Sequence, residues 1–261
     1  MRGGRGVGAL HAEWTKLRTL PSTWWLLLAT VVLMVAAGLL TTASLSAADC
    51  PVPAECHEDT VELSLTGVWV GQGAVVVLAV LAMSGEYGTG TIRTTLAAEP
   101  RRVRVLAAKA AVVGALTVAA GAVGVGASLL VGREVLAADG FAVPGLTEGP
   151  TLRAALGSVL YLALAALVGL GTATALRDTA AAATTALTLF YGLPVLSGLL
   201  ADADWRERAE ELTPSTAGLA VRATVGVERL PIGPWAGIGV LGGYAAAALL
   251  VGALVLRARD V

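Results

Sequence analysis

The chain has 261 residues, of which 14 % are charged and 56 % belong to the apolar set AVILMFWYC. A soluble domain carries about 25 % charged residues, and a chain this apolar is neither disordered nor an ordinary soluble domain. With 18 Lys and Arg against 19 Asp and Glu, the net charge of −1 also excludes a basic nucleic-acid binder as a whole-chain reading.

Residues 6–20 open the pattern. Val7, Leu10, Trp14 and Leu17 recur at spacings of three and four, with His11, Glu13, Lys16 and Arg18 on other faces. That predicts a short amphipathic helix lying in the membrane interface, which Pro21 separates from the first long apolar run. The run after Arg18 is too long for the core of a signal peptide and is read as a span, not a cleaved leader.

Six stretches then lack Asp, Glu, Lys and Arg altogether: 30 residues between Arg18 and Asp49, 27 between Arg229 and Arg257, and 23 in each of Glu62–Glu86, Lys109–Arg133, Arg153–Arg177 and Asp178–Asp202. A helix of that shorter length reaches about 34 Å, enough for a hydrocarbon core of about 30 Å. The reading is an all-α, polytopic membrane protein with six transmembrane helices, at about 23–44, 65–83, 109–131, 154–176, 179–200 and 235–256. Trp24, Trp25 and Trp235 sit where the first and last spans begin, at headgroup level.

Sorting the charges by side sets the expected topology. The amino terminus, loop 84–109, the Arg177-Asp178 hinge and the tail carry 12 Lys/Arg and 5 acids; loops 45–64, 132–153 and 201–234 carry 6 and 14. The basic side is therefore expected to be cytoplasmic, with both termini there and no ionisable carboxylate, Lys or Arg left mid-membrane.

Several segments outside the spans carry their own expectations. Cys50 and Cys56 lie in the acidic outer loop 45–64, where a disulfide, two free thiols and a metal site using His57 all stay open. The outer loop 201–234 holds an amphipathic stretch from Trp205 to Leu212 before Pro214, then an apolar run too short to span. That pattern fits a re-entrant or a surface-lying helix pair. Pro194 removes a backbone donor within span five, and reads as either a hinge or a tolerated kink.

The chemistry that is absent narrows the function. The two histidines, His11 and His57, fall on opposite sides of the membrane, and no span holds an acid to drive a proton-coupled carrier. The lysines, Lys16 and Lys109, lie in no phosphate-binding GxxxxGK[ST] sequence. No enzymatic activity and no cofactor are expected of this chain, and the energy for any transport has to come from a partner.

The most informative loop runs from Ser84 to Lys109 and reads as two short helices around Pro100, the first near 85–97. Arg101, Arg102, Arg104 and Lys109 in the second read as anchors at phospholipid headgroups. The pattern Gly85-Glu86-Tyr87-x-x-Gly90-Thr91-Ile92-Arg93, then Pro100 and basic residues, resembles the ABC transporter permeases of the ABC type-2 export family. The opening Glu13-Trp14-Thr15-Lys16-Leu17-Arg18, then Pro21-Ser22-Thr23-Trp24-Trp25, is similar to short actinobacterial members, and the resemblance covers essentially the whole chain.

That resemblance implies a plasma-membrane permease subunit that pairs as a homo- or heterodimer and recruits two separate ATP-binding subunits, which would bind the ATP and magnesium. Glu86, Tyr87, Gly90, Thr91, Ile92 and Arg93 match the segment that couples to the ATPase. The amphipathic helix with Leu10, Trp14 and Leu17 matches the family's connecting helix, and 203–230 its re-entrant region. Cys50 and Cys56 are no part of the pattern. A gradient-driven carrier and a non-transport membrane assembly subunit are the competing classes.

Overall fold

The structure, a computed structural model, describes residues 3–45, 58–99 and 101–258. Cys50, Cys56 and His57 lie outside the described residues, as does the side chain of Val7. The described residues form helices α1 (Gly3–Thr19), α2 (Pro21–Ala43), α3 (Thr60–Ser64), α4 (Gly67–Gly88), α5 (Thr91–Ala98), α6 (Arg102–Ala138) and α7 (Gly149–Leu176). They continue with α8 (Thr179–Leu187), α9 (Leu193–Gly198), α10 (Ala203–Leu212), α11 (Pro214–Leu219) and α12 (Pro234–Ala258). No strand occurs among them.

Six helical stretches are long and apolar enough to cross a membrane: Pro21–Ala43, Thr60–Gly88, Arg102–Ala138, Gly149–Leu176, Thr179–Gly198 and Pro234–Ala258. Each overlaps an uncharged run, but several are longer. α6 has 37 residues and continues to Ala138, past Arg133 and Glu134. Charge ends the part of a helix that hydrocarbon tolerates; it does not end the helix, whose backbone bonds close equally well in water.

α7 is the central helix, packed on α12, α4 and α6, and α2 packs on α4 and α6. Small residues set the closest approaches. A Cβ on Gly67 would fall 1.9 Å from the Met34 carbonyl oxygen of α2, and one on Gly237 would fall 1.9 Å from the Ala217 oxygen of α11. With lipid tails as apolar as leucine, such backbone proximity is what holds helices together in a bilayer. Many aliphatic side chains remain on the outside, including Leu28, Val32 and Leu40 of α2 and Leu250, Val251 and Leu254 of α12.

Pro194 lies just after a π turn, Thr188–Gly192, closed by the Leu193 amide donating to the Thr188 carbonyl. The wider turn takes up the donor that proline lacks and the bulk of its ring. It also lets two successive aromatics face the bundle. Phe190 is buried edge-on to Tyr161, and the Tyr191 hydroxyl donates to the Trp69 carbonyl at 2.9 Å.

On the acidic side, α10 is exposed, whereas α11 is buried against α12 with its Ser215, Ala217 and Gly218 inward. The chain leaving α11 is fastened by charges. Asp59 accepts from the amide of Glu62, capping α3, and from the Thr224 amide, the Thr224 hydroxyl at 2.7 Å and the Val225 amide at 2.8 Å. Arg222 donates to the Leu65 carbonyl at 3.2 Å, and Arg153 to the Ala223 carbonyl at 2.5 Å.

Candidate functional site

The residues of the Gly85–Arg93 motif fall on a helix end, a turn and a helix start. Glu86 and Tyr87 occupy the last turn of α4. Thr89 donates its hydroxyl to the Gly85 carbonyl at 2.8 Å, and Gly90 then adopts a left-handed conformation, φ +72°, that reverses the chain into α5. A side chain at Gly90 would meet no atom within 4 Å, so glycine is needed there for its backbone freedom and not for space. Ile92 is buried and pins α5 to the bundle, while Arg93, Thr94 and Ala97 face outward.

Glu86 does not share that outward face. It points into a cluster of charges contributed by α1, α4 and α6. The Lys109 ammonium, 1 % exposed, donates to Glu13 at 2.5 Å and to Glu86 at 2.8 Å. Lys16 donates to the other oxygen of Glu13 at 2.8 Å, to the same oxygen of Glu86 at 3.0 Å, and to the Thr95 hydroxyl of α5 at 3.0 Å. Two ammoniums and two carboxylates make the cluster neutral, which is the condition for holding it out of water. Lys16 is held above its ordinary pKa of 10.5: burial works to lower it, and the hydrogen bonds to Glu13 and Glu86 outweigh burial. It therefore keeps its charge throughout the neutral range.

This corrects one expectation. Lys109 is not an anchor at the headgroups; it is buried beneath α1, and Glu13 is buried with it. The amphipathic helix splits its stripe accordingly. Leu17 joins Glu13 on the inward face, and Leu10 and Trp14 stay exposed, free to meet lipid.

Tyr87 is likewise turned inward. The Arg177 guanidinium lies 5.5 Å from its ring centre. Arg177 follows α7 with φ +59°, and it also donates to the Val255 carbonyl near the end of α12 at 3.1 Å. Arg102, at the start of α6, donates to the Leu256 carbonyl of the same helix end at 2.7 Å. Cations thereby tie the basic-side ends of α6 and α7 to the end of α12.

Sequence reasoning named Glu13, Lys16, Lys109 and Arg177 in other roles and did not bring them together, and it passed over Thr95. One signal was present. Lys109 is the sole charge between Arg104 and Arg133, and a lone ammonium inside an apolar helix needs a carboxylate from elsewhere.

The motif thus forms a surface helix set on a left-handed glycine turn and rooted in buried charges contributed by α1, α4 and α6. Residues 9–195 match a family described as "ABC-2 family transporter protein". The chain belongs to that family. It is a multi-pass membrane protein, the permease type of subunit in an ABC transporter. The matched segment includes most of α1, the Gly85–Arg93 motif and the charged cluster, and ends just after Pro194. No curated protein matches the chain closely enough to add to the family assignment.

Proposed function

We propose that this ABC-2 permease exports an amphipathic or hydrophobic substrate, drawing energy from two separate ATP-binding subunits and pairing with a second permease protomer, identical or not. The basic side faces the cytoplasm and both termini lie there, in the plasma membrane. ATP binding closes the partner ATPases, and these displace α5. The outward face of α5, with Arg93, Thr94 and Ala97, is the docking surface. Glu86, Tyr87, Gly90, Thr91 and Ile92 shape and root it.

The observation that carries this reading is the Lys16 ammonium, which bonds α5 through Thr95 and the spans through Glu86 in one group. A displacement of α5 is thus passed to α1, α4 and α6. Coupling requires contacts that differ between two states, and the exposed end of this cluster is the place where they can. An uncharged interior on the spans favours an apolar or amphipathic cargo over a small ion. We read 203–230 as the re-entrant region on the outer side and the π turn before Pro194 as a hinge.

The test is ATP hydrolysis and transport by the reconstituted complex with Glu86→Ala and Arg93→Ala made separately. Arg93→Ala should weaken ATPase association, and Glu86→Ala should leave association but uncouple hydrolysis from transport. Full wild-type behaviour of both variants defeats the assignment.

A further inference from the structure

On the acidic side, α3, α4, α9, α10, α11 and the approach to α12 enclose a hollow of about 270 Å³. Trp69, Leu219 and Ile232 give it apolar surface, and Glu62, Glu210 and Arg222 give it charge. Arg222 is already engaged. It donates to the Leu65 carbonyl at 3.2 Å and to the Leu219 carbonyl at 3.3 Å, and its guanidinium lies 3.8 Å from the Glu62 carboxylate. Glu210 has no such match. Among the described residues its carboxylate makes neither an ion pair nor a hydrogen bond, and Arg206, one turn earlier on α10, is exposed and not paired with it. The lining therefore holds one carboxylate more than it has cations. Residues 46–57, outside the described ones, cannot reverse that balance: they include Asp49 and Glu55 and contain no Lys or Arg.

The lining says what it takes. A cavity of this size, near the lower end of the about 300–1,000 Å³ of small-molecule sites, suits a compact ligand with an apolar body and few polar groups. An anion would meet Glu62 and Glu210 and find the one guanidinium engaged. A metal ion needs a closed set of hard ligands, and no group of three His, Cys, Asp or Glu side chains that could hold one occurs among the described residues. An organic cation is matched at both ends. Its ammonium would donate to Glu210 in a charge-assisted hydrogen bond. Trp69 is 44 % exposed, and its ring is braced edge-on by Tyr191 at 5.2 Å; an indole attracts a cation over its face. Buried Ser215 also lines the hollow. It lies 3.4 Å from the Tyr161 hydroxyl, which donates to Gln72, and the Gln72 amide nitrogen has no partner among the described residues. Polar groups thus continue from the hollow into the middle of α4 and α7.

We infer that this hollow binds a singly charged organic cation, its ammonium paired with Glu210 and its apolar body lying against Trp69, Leu219 and Ile232. The inference rests on the exporter reading in one respect: it takes this ligand to be the cargo, so that the amphipathic substrate is a cationic one. Pro194 lines the hollow as well, so the bound cation touches the segment that follows the π turn.

The experiment is equilibrium dialysis of phenylbutylamine, phenylbutanol and phenylbutyrate against the purified full chain in micelles of an uncharged detergent, with protein-free micelles as the blank. At neutral pH the three are a cation, a neutral molecule and an anion on one apolar body. The amine should bind roughly tenfold more tightly than the alcohol, as one hydrogen bond to a charged group provides, and the butyrate least. Glu210→Gln alters a carboxylate that bonds to nothing, so it should fold normally and bring the amine down to the affinity of the alcohol. Glu210→Asp should keep part of the preference. Ile232→Trp should fill the hollow and weaken amine and alcohol alike. Equal binding of amine and alcohol by the wild type overturns the inference, as does an unchanged preference in Glu210→Gln or unchanged binding in Ile232→Trp. The exporter reading is tested apart from the site. ATP-driven export of the amine that is unaltered in Glu210→Gln overturns the cationic cargo and leaves the exporter standing. Charge-selective binding by a chain that recruits no ATPase keeps the site and defeats the exporter.

Discussion

Replacing Lys109 by methionine keeps the length of the side chain and removes its charge. In the wild type that charge is 1 % exposed and faces carboxylates at 2.5 and 2.8 Å. Taking away one member of a buried ionic cluster costs about 3–5 kcal/mol, because a charge is left buried without compensation. Here Lys16 remains within 3.0 Å of both carboxylates and neutralises one of them, so the lower end, about 3 kcal/mol, is expected. Adding Glu13→Gln leaves Glu86 and Lys16 as a balanced pair. The double variant should therefore be more stable than the sum of the single losses predicts, by about 2 kcal/mol. The assay is a double-mutant cycle of reversible unfolding in mixed micelles of mild and denaturing detergent. Additivity within about 0.5 kcal/mol, or a loss for Lys109→Met below about 1 kcal/mol, would refute the buried cluster as the tie between α1, α4 and α6.

Gly90→Ala forces an ordinary residue into a left-handed turn at φ +72°. It should cost about 1–2 kcal/mol, and amide exchange across Thr91–Ala98 should speed up while α4 stays protected. Asp59→Ala removes the acceptor of four hydrogen bonds, and should lower stability by about 2 kcal/mol and expose the amides of Thr224 and Val225 to exchange. The contribution of Lys16 should not vary with pH near neutrality. A lysine whose folded pKa is raised stabilises fully below its unfolded value of 10.5 and loses that stabilisation only as pH rises through the folded value. A Lys16→Met difference in unfolding midpoint that changes between mildly acidic and mildly alkaline buffer would contradict this.

The spans were legible because hydrocarbon excludes charge, so six uncharged runs had to be six crossings. Helix ends were less so. Arg133 and Glu134 stop the membrane but not α6, and the boundary drawn at residue 131 followed the lipid, not the backbone. The helix expected near 85–97 is instead broken in two: α4 runs on to Gly88, and Gly90 at φ +72° reverses the chain into α5 from Thr91, because a glycine free to enter the left-handed region ends one helix and starts the next. The inward direction of Glu86 was not legible, because the cluster that receives it joins Glu13 to Lys109 across 96 residues, and no local period reports a contact of that range. Pro194 announced a perturbed helix. That the perturbation is a π turn, with Phe190 and Tyr191 both facing the bundle, depends on how α4 and α7 pack around it.

The cluster is not uniform, and the gradient within it gives the proposed coupling a direction. Its inner part, Lys109 with Glu13 and Glu86, joins a side chain exposed by only 1 % to ones exposed by 3 % and 11 %. Its outer part is Lys16, 37 % exposed, and the bond from Lys16 to Thr95 joins a cation to a neutral hydroxyl. Breaking the outer bond costs about 1–3 kcal/mol, and water can take its place. Breaking the inner set strands a charge in a dry site, at about 3–5 kcal/mol. A force on α5 therefore gives way first at Thr95, and a small displacement frees α5 without disturbing the spans. A larger one pulls on Gly90 and the last turn of α4, where Glu86 is still clamped by Lys109, and α4 must then move together with α1 and α6. On this argument Thr95→Val, which deletes only the outer bond, should raise the mobility of α5 while leaving the unfolding midpoint within about 1 kcal/mol of wild type. Lys109→Met should instead lower the midpoint and loosen α1. If Thr95→Val destabilises the bundle as much as Lys109→Met, the cluster acts as one rigid block, and graded transmission through it is wrong.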